Sequence, residues 1–101
     1  MSFHVYILYS PSTDRIYRGQ AQDLHERLRR HNAGMEPSTK AGKPWTLLWR
    51  TSKNSRSDAY KLEAKLKNLS RQRTLRFMLN YDDGIPNETS GKMIRQLIET
   101  G

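Results

Sequence analysis

Phe3-His4-Val5-Tyr6-Ile7-Leu8-Tyr9-Ser10, then Pro11-Ser12-Thr13-Asp14, then Arg15-Ile16-Tyr17-Arg18-Gly19 decide how this chain folds. The outer two stretches are rich in aromatic and β-branched residues, and the middle one is dense in turn formers. Together they read as a β-hairpin. Gly19 is expected to end the second strand. Tyr6 and Tyr17 then stand one on each strand, spaced so that their rings can lie side by side.

Outward from the hairpin the periodicity changes. Asp23 is placed to cap a helix on which Leu24, Leu28 and the aliphatic part of His31 recur at helical spacing, with Asn32-Ala33-Gly34 as the stop. A polar loop spans 35–44, and Trp45 to Thr51 reads as a strand. Trp45 and Trp49, four apart on that strand, are expected to share one face and face the core. Ser55 or Ser57 can cap a second helix bearing Ala59, Leu62, Leu66 and Leu69, and Ser70 can start a third with Leu75, Met78 and Leu79 inward. After a loop from Tyr81 to Asn87, Met93, Leu97 and Ile98 suggest a short terminal helix. The order ββαβαα(α) is an α+β layout built on a small antiparallel sheet. One domain over residues 1–80 is expected, with 81–101 a loop and helical tail rather than a separate domain.

At 101 residues, one small core is the expectation. Eighteen Lys and Arg against ten Asp and Glu leave a net charge of +8. That balance favours a polyanionic partner, nucleic acid before an anionic membrane surface. No cysteine is present, which excludes disulfides, thiol catalysis and Cys-based zinc sites. No apolar stretch approaches membrane-spanning length, and the start carries no basic segment followed by an apolar run. A cytoplasmic protein without a membrane partner is expected; its oligomeric state cannot be read from the sequence.

Arg27 and His31 are four apart and share a helix face. A guanidinium there can clamp a phosphate, and a nearby imidazole can move a proton. Glu63 stands as a lone acid among Lys61, Lys65 and Lys67. Taken singly, each has a plainer reading. The tyrosines fit half-buried strand positions, Arg27 and His31 a solvated face pairing with Asp23 or Glu26, and Glu63 a surface ion pair.

Taken in order, the set resembles the GIY-YIG nuclease domain, most closely its small single-domain bacterial branch, which is similar to the N-terminal nuclease domain of an excinuclease. His4-Val5-Tyr6 stands where the first triplet would be, and Tyr17-Arg18-Gly19 where the second would be. Asp23 to Gly34 resembles the branch's helix, with its acid, its arginine and its His-Asn-x-Gly ending. Ser38-Thr39-Lys40, Lys43-Pro44-Trp45, Ser55 to Ala59 and Glu63 to Lys67 resemble the segments that follow. Arg18 departs from the pattern, replacing a small aliphatic residue. Strand alternation turns it away from Tyr17, and it is expected to be exposed or paired.

The resemblance implies a three-stranded antiparallel sheet flanked by helices. It also implies hydrolysis of DNA phosphodiesters with one divalent cation, Mg²⁺ or Mn²⁺, weakly held without substrate. Carried over by position, Tyr6 and Tyr17 would position or deprotonate the attacking water. Arg27 would stabilise the pentavalent phosphate, His31 would assist proton transfer, and Glu63 would hold the metal. Arg18, Arg30, Lys40, Lys43, Lys67 and Arg71 are the expected phosphate contacts, which set affinity more than sequence preference. Structure-selective or unspecific cutting, in repair or recombination, is the favoured reading. A nucleic-acid-binding module on the same fold, with little or no cleavage, is the alternative.

Overall fold

A computed structural model describes residues 2–100; residues 1 and 101, the outer ends of the expected spans 1–80 and 81–101, lie outside the described residues. The chain runs β1 (Phe3–Ser10), β2 (Arg15–Ala21), α1 (Leu24–Asn32), β3 (Thr46–Lys53), α2 (Arg56–Lys67), α3 (Arg71–Asn80) and α4 (Glu88–Thr100). Short 3₁₀ turns at Lys40–Gly42 and Asp82–Gly84 interrupt the loops. The strands form one antiparallel sheet in the order β2-β1-β3, so β2 is an edge. This is the expected α+β layout.

Helix starts sit where the capping residues put them. The side chains of Asp23, Ser55 and Ser70 accept from the backbone N–H groups of Glu26, Asp58 and Arg73 respectively. Helix α1 stops at Gly34, whose φ of +74° is open to glycine, and the Met35 N–H closes onto the Arg30 carbonyl. The hairpin turn is tied down from outside. Asp14 Oδ1 accepts from the Tyr9 hydroxyl at 2.7 Å and from Arg71 Nη2 at 2.8 Å.

Alternation on β1 sends side chains to two cores. Val5, Ile7 and Tyr9 join Leu48, Trp49, Ala59, Leu66, Leu75, Met78, Ile94 and Leu97 under α2, α3 and α4. Tyr6 and Leu8 face the other way, packing with Trp45, Tyr17, Leu24 and Leu28 under α1.

Three expectations need correction. Strand β2 runs two residues past Gly19, to Ala21, because pairing with β1 continues through Tyr6↔Gly19 to His4↔Ala21. Trp45 and Trp49 are both buried but on opposite faces of the sheet. The cause is a bulge: Ile7 pairs with Trp49 but Leu8 pairs with Leu47, leaving Leu48 as an extra residue that inverts the alternation. The terminal helix is not short. It spans 13 residues, and Ile94 and Leu97 bury its inner face in the larger core. No helix among the described residues is long and apolar enough to cross a membrane.

Candidate active site

The hairpin register brings the tyrosines together. Tyr6 lies opposite Gly19 and Leu8 opposite Tyr17, so Tyr6 and Tyr17 occupy one face on a diagonal. Their ring centroids are 6.2 Å apart. Gly19 fills the narrow space between them. A Cβ there would stand 2.7 Å from the Tyr6 Cζ and hydroxyl oxygen and 2.9 Å from Tyr17 Cε2, closer than non-bonded atoms tolerate. Only glycine fits.

Helix α1 delivers His31 to the same place. It is 1% exposed, with its ring centroid 5.8 Å from that of Tyr6 and 5.1 Å from that of Tyr17. Both ring nitrogens are engaged, Nε2 with the Tyr6 hydroxyl at 2.9 Å and Nδ1 with Thr39 Oγ1 at 2.8 Å. Thr39 Oγ1 donates in turn to the Glu36 carbonyl. That sequence of bonds assigns the proton to Nδ1 and leaves Nε2 to accept from Tyr6.

Charge follows from burial. Burial is the main reason the Tyr6 hydroxyl is held far above the usual tyrosine range; Tyr17 and Glu63 push the same way and Arg27 opposes them. Burial also lowers the His31 pKa, with Arg27 adding to the effect and Glu36 opposing it. Tyr6 is therefore a neutral donor and His31 a neutral acceptor at pH 7. One hydroxyl thus feels Tyr17, Arg27 and Glu63 at once.

Glu63 comes from α2, on the other side of the edge strand. Its side chain is 13% exposed and pairs with Lys67 Nζ at 3.4 Å, while Gln20 Nε2 donates to Oε1 at 3.0 Å. Gln20 follows Gly19 directly and points to the opposite face, so one short stretch of β2 touches both halves of the cluster. Among the described residues no three His, Asp or Glu side chains gather to hold a metal. A lone carboxylate still suits Mg²⁺ or Mn²⁺, which keep most of their waters and share the rest with substrate oxygens.

The cations divide into paired and unpaired. Arg29 is held by Glu26, Arg30 by Glu36, Arg71 by Asp14 and Lys67 by Glu63. Arg27 has no carboxylate partner among the described residues, because Glu26 turns to Arg29 and Asp23 caps the helix. Lys40 and Lys43 are exposed on the loop after α1. Arg18 stands apart from the tyrosines. It passes under α3, donating to Thr74 Oγ1 at 2.7 Å and the Leu69 carbonyl at 3.4 Å, while its Nε is buried without a partner. Burial lowers its pKa. Its partners are two neutral oxygens, and it has no carboxylate partner among the described residues.

Residues 2–76 match the model of the GIY-YIG catalytic domain. The chain belongs to the GIY-YIG family. UPF0213 proteins of Staphylococcus aureus strains Mu3 and Mu50 are each 30% identical to it over 79 residues, covering 77% of this chain and 96% of theirs. The solution structure of a UPF0213 protein from Bacillus halodurans is 28% identical, with a TM-score of 0.51 over 85% of this chain and 89% of that one. In this GIY-YIG chain, sequence reasoning missed Gln20, Thr39 and Asn32. Asn32 Oδ1 accepts from the Trp45 N–H at 2.6 Å and closes the loop onto α1. Only Asn32 and Thr39 left a signal, since both fall within segments that resemble the family.

Proposed function

We propose that this chain is a divalent-metal-dependent endonuclease hydrolysing DNA phosphodiesters, with structure-selective or little sequence preference. The observation that carries this reading is geometric: Tyr6 packs beside Tyr17 and bonds His31 on one face of β2, while Gln20, which holds Glu63, lines one cleft with Arg27. Arg27, unneutralised by a neighbour, is placed to receive a phosphate and the charge that builds on it in the transition state. Tyr17 is half-buried, and its hydroxyl makes no hydrogen bond among the described residues, so it is the tyrosine that orients the attacking water. Tyr6 and His31 are buried behind it. There the Tyr6 hydroxyl accepts the proton arriving from the water side as it passes its own to His31 Nε2, and the Thr39 bond keeps the imidazole in the accepting tautomer.

Glu63 is the residue that would hold the cation, with Gln20 fixing one carboxylate oxygen. The cation would supply charge neutralisation at the leaving oxygen. Exposed Lys40 and Lys43, together with Arg30, extend the basic surface and set salt-dependent affinity. A role in repair or recombination in the cytoplasm fits this chemistry. Incubating plasmid, nicked and branched DNA with the protein in Mg²⁺ or Mn²⁺ tests the reading. Wild type cuts at least one substrate and EDTA stops it; DNA left intact in every metal refutes it.

A further inference from the structure

Tyr17 has a second side. Its ring forms one wall of a cleft of about 500 Å³ between the hairpin turn and the loop after α1. Trp45 adjoins it, its buried ring packed at a tilt against Tyr17 with centroids 6.1 Å apart and an interplanar angle of 58°. Ala41 also lines the cleft, as do the polar side chains of Thr13, Arg15 and Ser38. Arg15 is exposed and has no carboxylate partner among the described residues. Thr39 holds the structure from below, its carbonyl accepting from the Trp45 indole N–H at 2.8 Å while its hydroxyl meets His31. The cleft is therefore braced by the same loop that fixes the candidate proton acceptor.

A half-buried aromatic ring backed by a second, with hydroxyls and a guanidinium at the mouth, suits a planar heteroaromatic ring carried on a phosphorylated sugar. A base stacked inside a duplex hides both ring faces and cannot enter; one that is unpaired or turned out can. Because Tyr17 belongs to both places, the nucleotide in the cleft neighbours the phosphate beside Arg27. We infer that this cleft is a pocket for one unstacked nucleobase, and that the strand cut is one with unpaired nucleotides next to the scissile phosphate. This inference rests on the nuclease reading and adds the substrate form to it.

The test separates the two. Fluorescence anisotropy in EDTA, without cleavage, compares a labelled oligothymidylate with an abasic strand of the same length and charge. The base-bearing strand binds wild type about 10-fold more tightly at equal salt. Ala41→Trp, which fills the cleft, removes that preference. Equal affinity of wild type for the two strands overturns the inference, and so does an Ala41→Trp protein that keeps the preference. Metal-dependent cutting without base preference would sink the pocket alone. Base preference without cutting of any DNA would uphold the pocket and sink the nuclease reading.

Discussion

The Tyr6 hydroxyl stands 2.9 Å from His31 Nε2, joining the first strand to the first helix through two side chains that solvent scarcely reaches. The bond has a structural and a chemical use. Tyr6→Phe leaves the buried Nε2 without a donor, and the expected cost is about 1–3 kcal/mol of stability. Cleavage is expected to fall about 100-fold or more. Tyr17→Phe should slow cleavage comparably with a stability change within about 0.5 kcal/mol, since its hydroxyl bonds to nothing described. Urea denaturation beside single-turnover cleavage checks the contrast; equal destabilisation by both substitutions would contradict it.

The buried His31 makes stability depend on pH. Its folded pKa lies below the ordinary 6.5, so as pH falls through 6.5 the unfolded chain takes up a proton before the folded one does. Its contribution is complete above pH 6.5 and shrinks as pH drops toward the folded value. Wild type should lose more stability between pH 7.5 and about 5.5 than His31→Asn, measured as the shift in urea midpoint. His4 and His25 are present in both proteins, so the difference isolates His31. An identical pH loss in the variant would count against the buried neutral imidazole.

Arg27 and Arg29 lie two residues apart on α1, yet only Arg29 is held by an acid. Arg27→Ala is expected to lower the cleavage rate by about 10²–10³-fold. Arg29→Ala should mainly shift DNA affinity and its salt dependence, by a small factor. Rate and Kd measured on one substrate separate the two; a rate loss of the same size in both variants would remove the special place given to Arg27.

Gly19→Ala tests the fit between the tyrosines. The added methyl would meet the Tyr6 ring and hydroxyl at 2.7 Å, and overpacking of this kind costs about 1–3 kcal/mol. Reduced cleavage with nearly unchanged DNA binding is expected, read from single-turnover rates and anisotropy. A variant as stable and active as wild type would show that the close approach is relaxed without effect.

Much of this was legible in local sequence. Asp23, Ser55 and Ser70 announced helix starts because capping is a property of a few adjacent residues. The tyrosines paired as hairpin spacing implied, and Arg27 and His31 followed from helical spacing. What could not be read depends on contacts across the fold. Leu48 bulges because of how β3 meets β1, and that placed Trp45 and Trp49 on opposite faces. Gln20 reaches Glu63 from 43 positions away, and Arg18 reaches Thr74 from 56 away. Thr39 closes on His31 through a loop whose path has no periodicity to follow.

The nuclease reading requires side chains from the two faces of the sheet to act on one phosphate across the edge strand. Single-turnover cleavage in Mn²⁺ by wild type, Arg27→Ala, Glu63→Gln and the double variant measures whether they do. Groups that act as a unit are non-additive. Each single variant should lose at least about 100-fold, and the double should lose little more than the worse single. Single variants that cut as fast as wild type, or losses that multiply in full, would contradict one shared site.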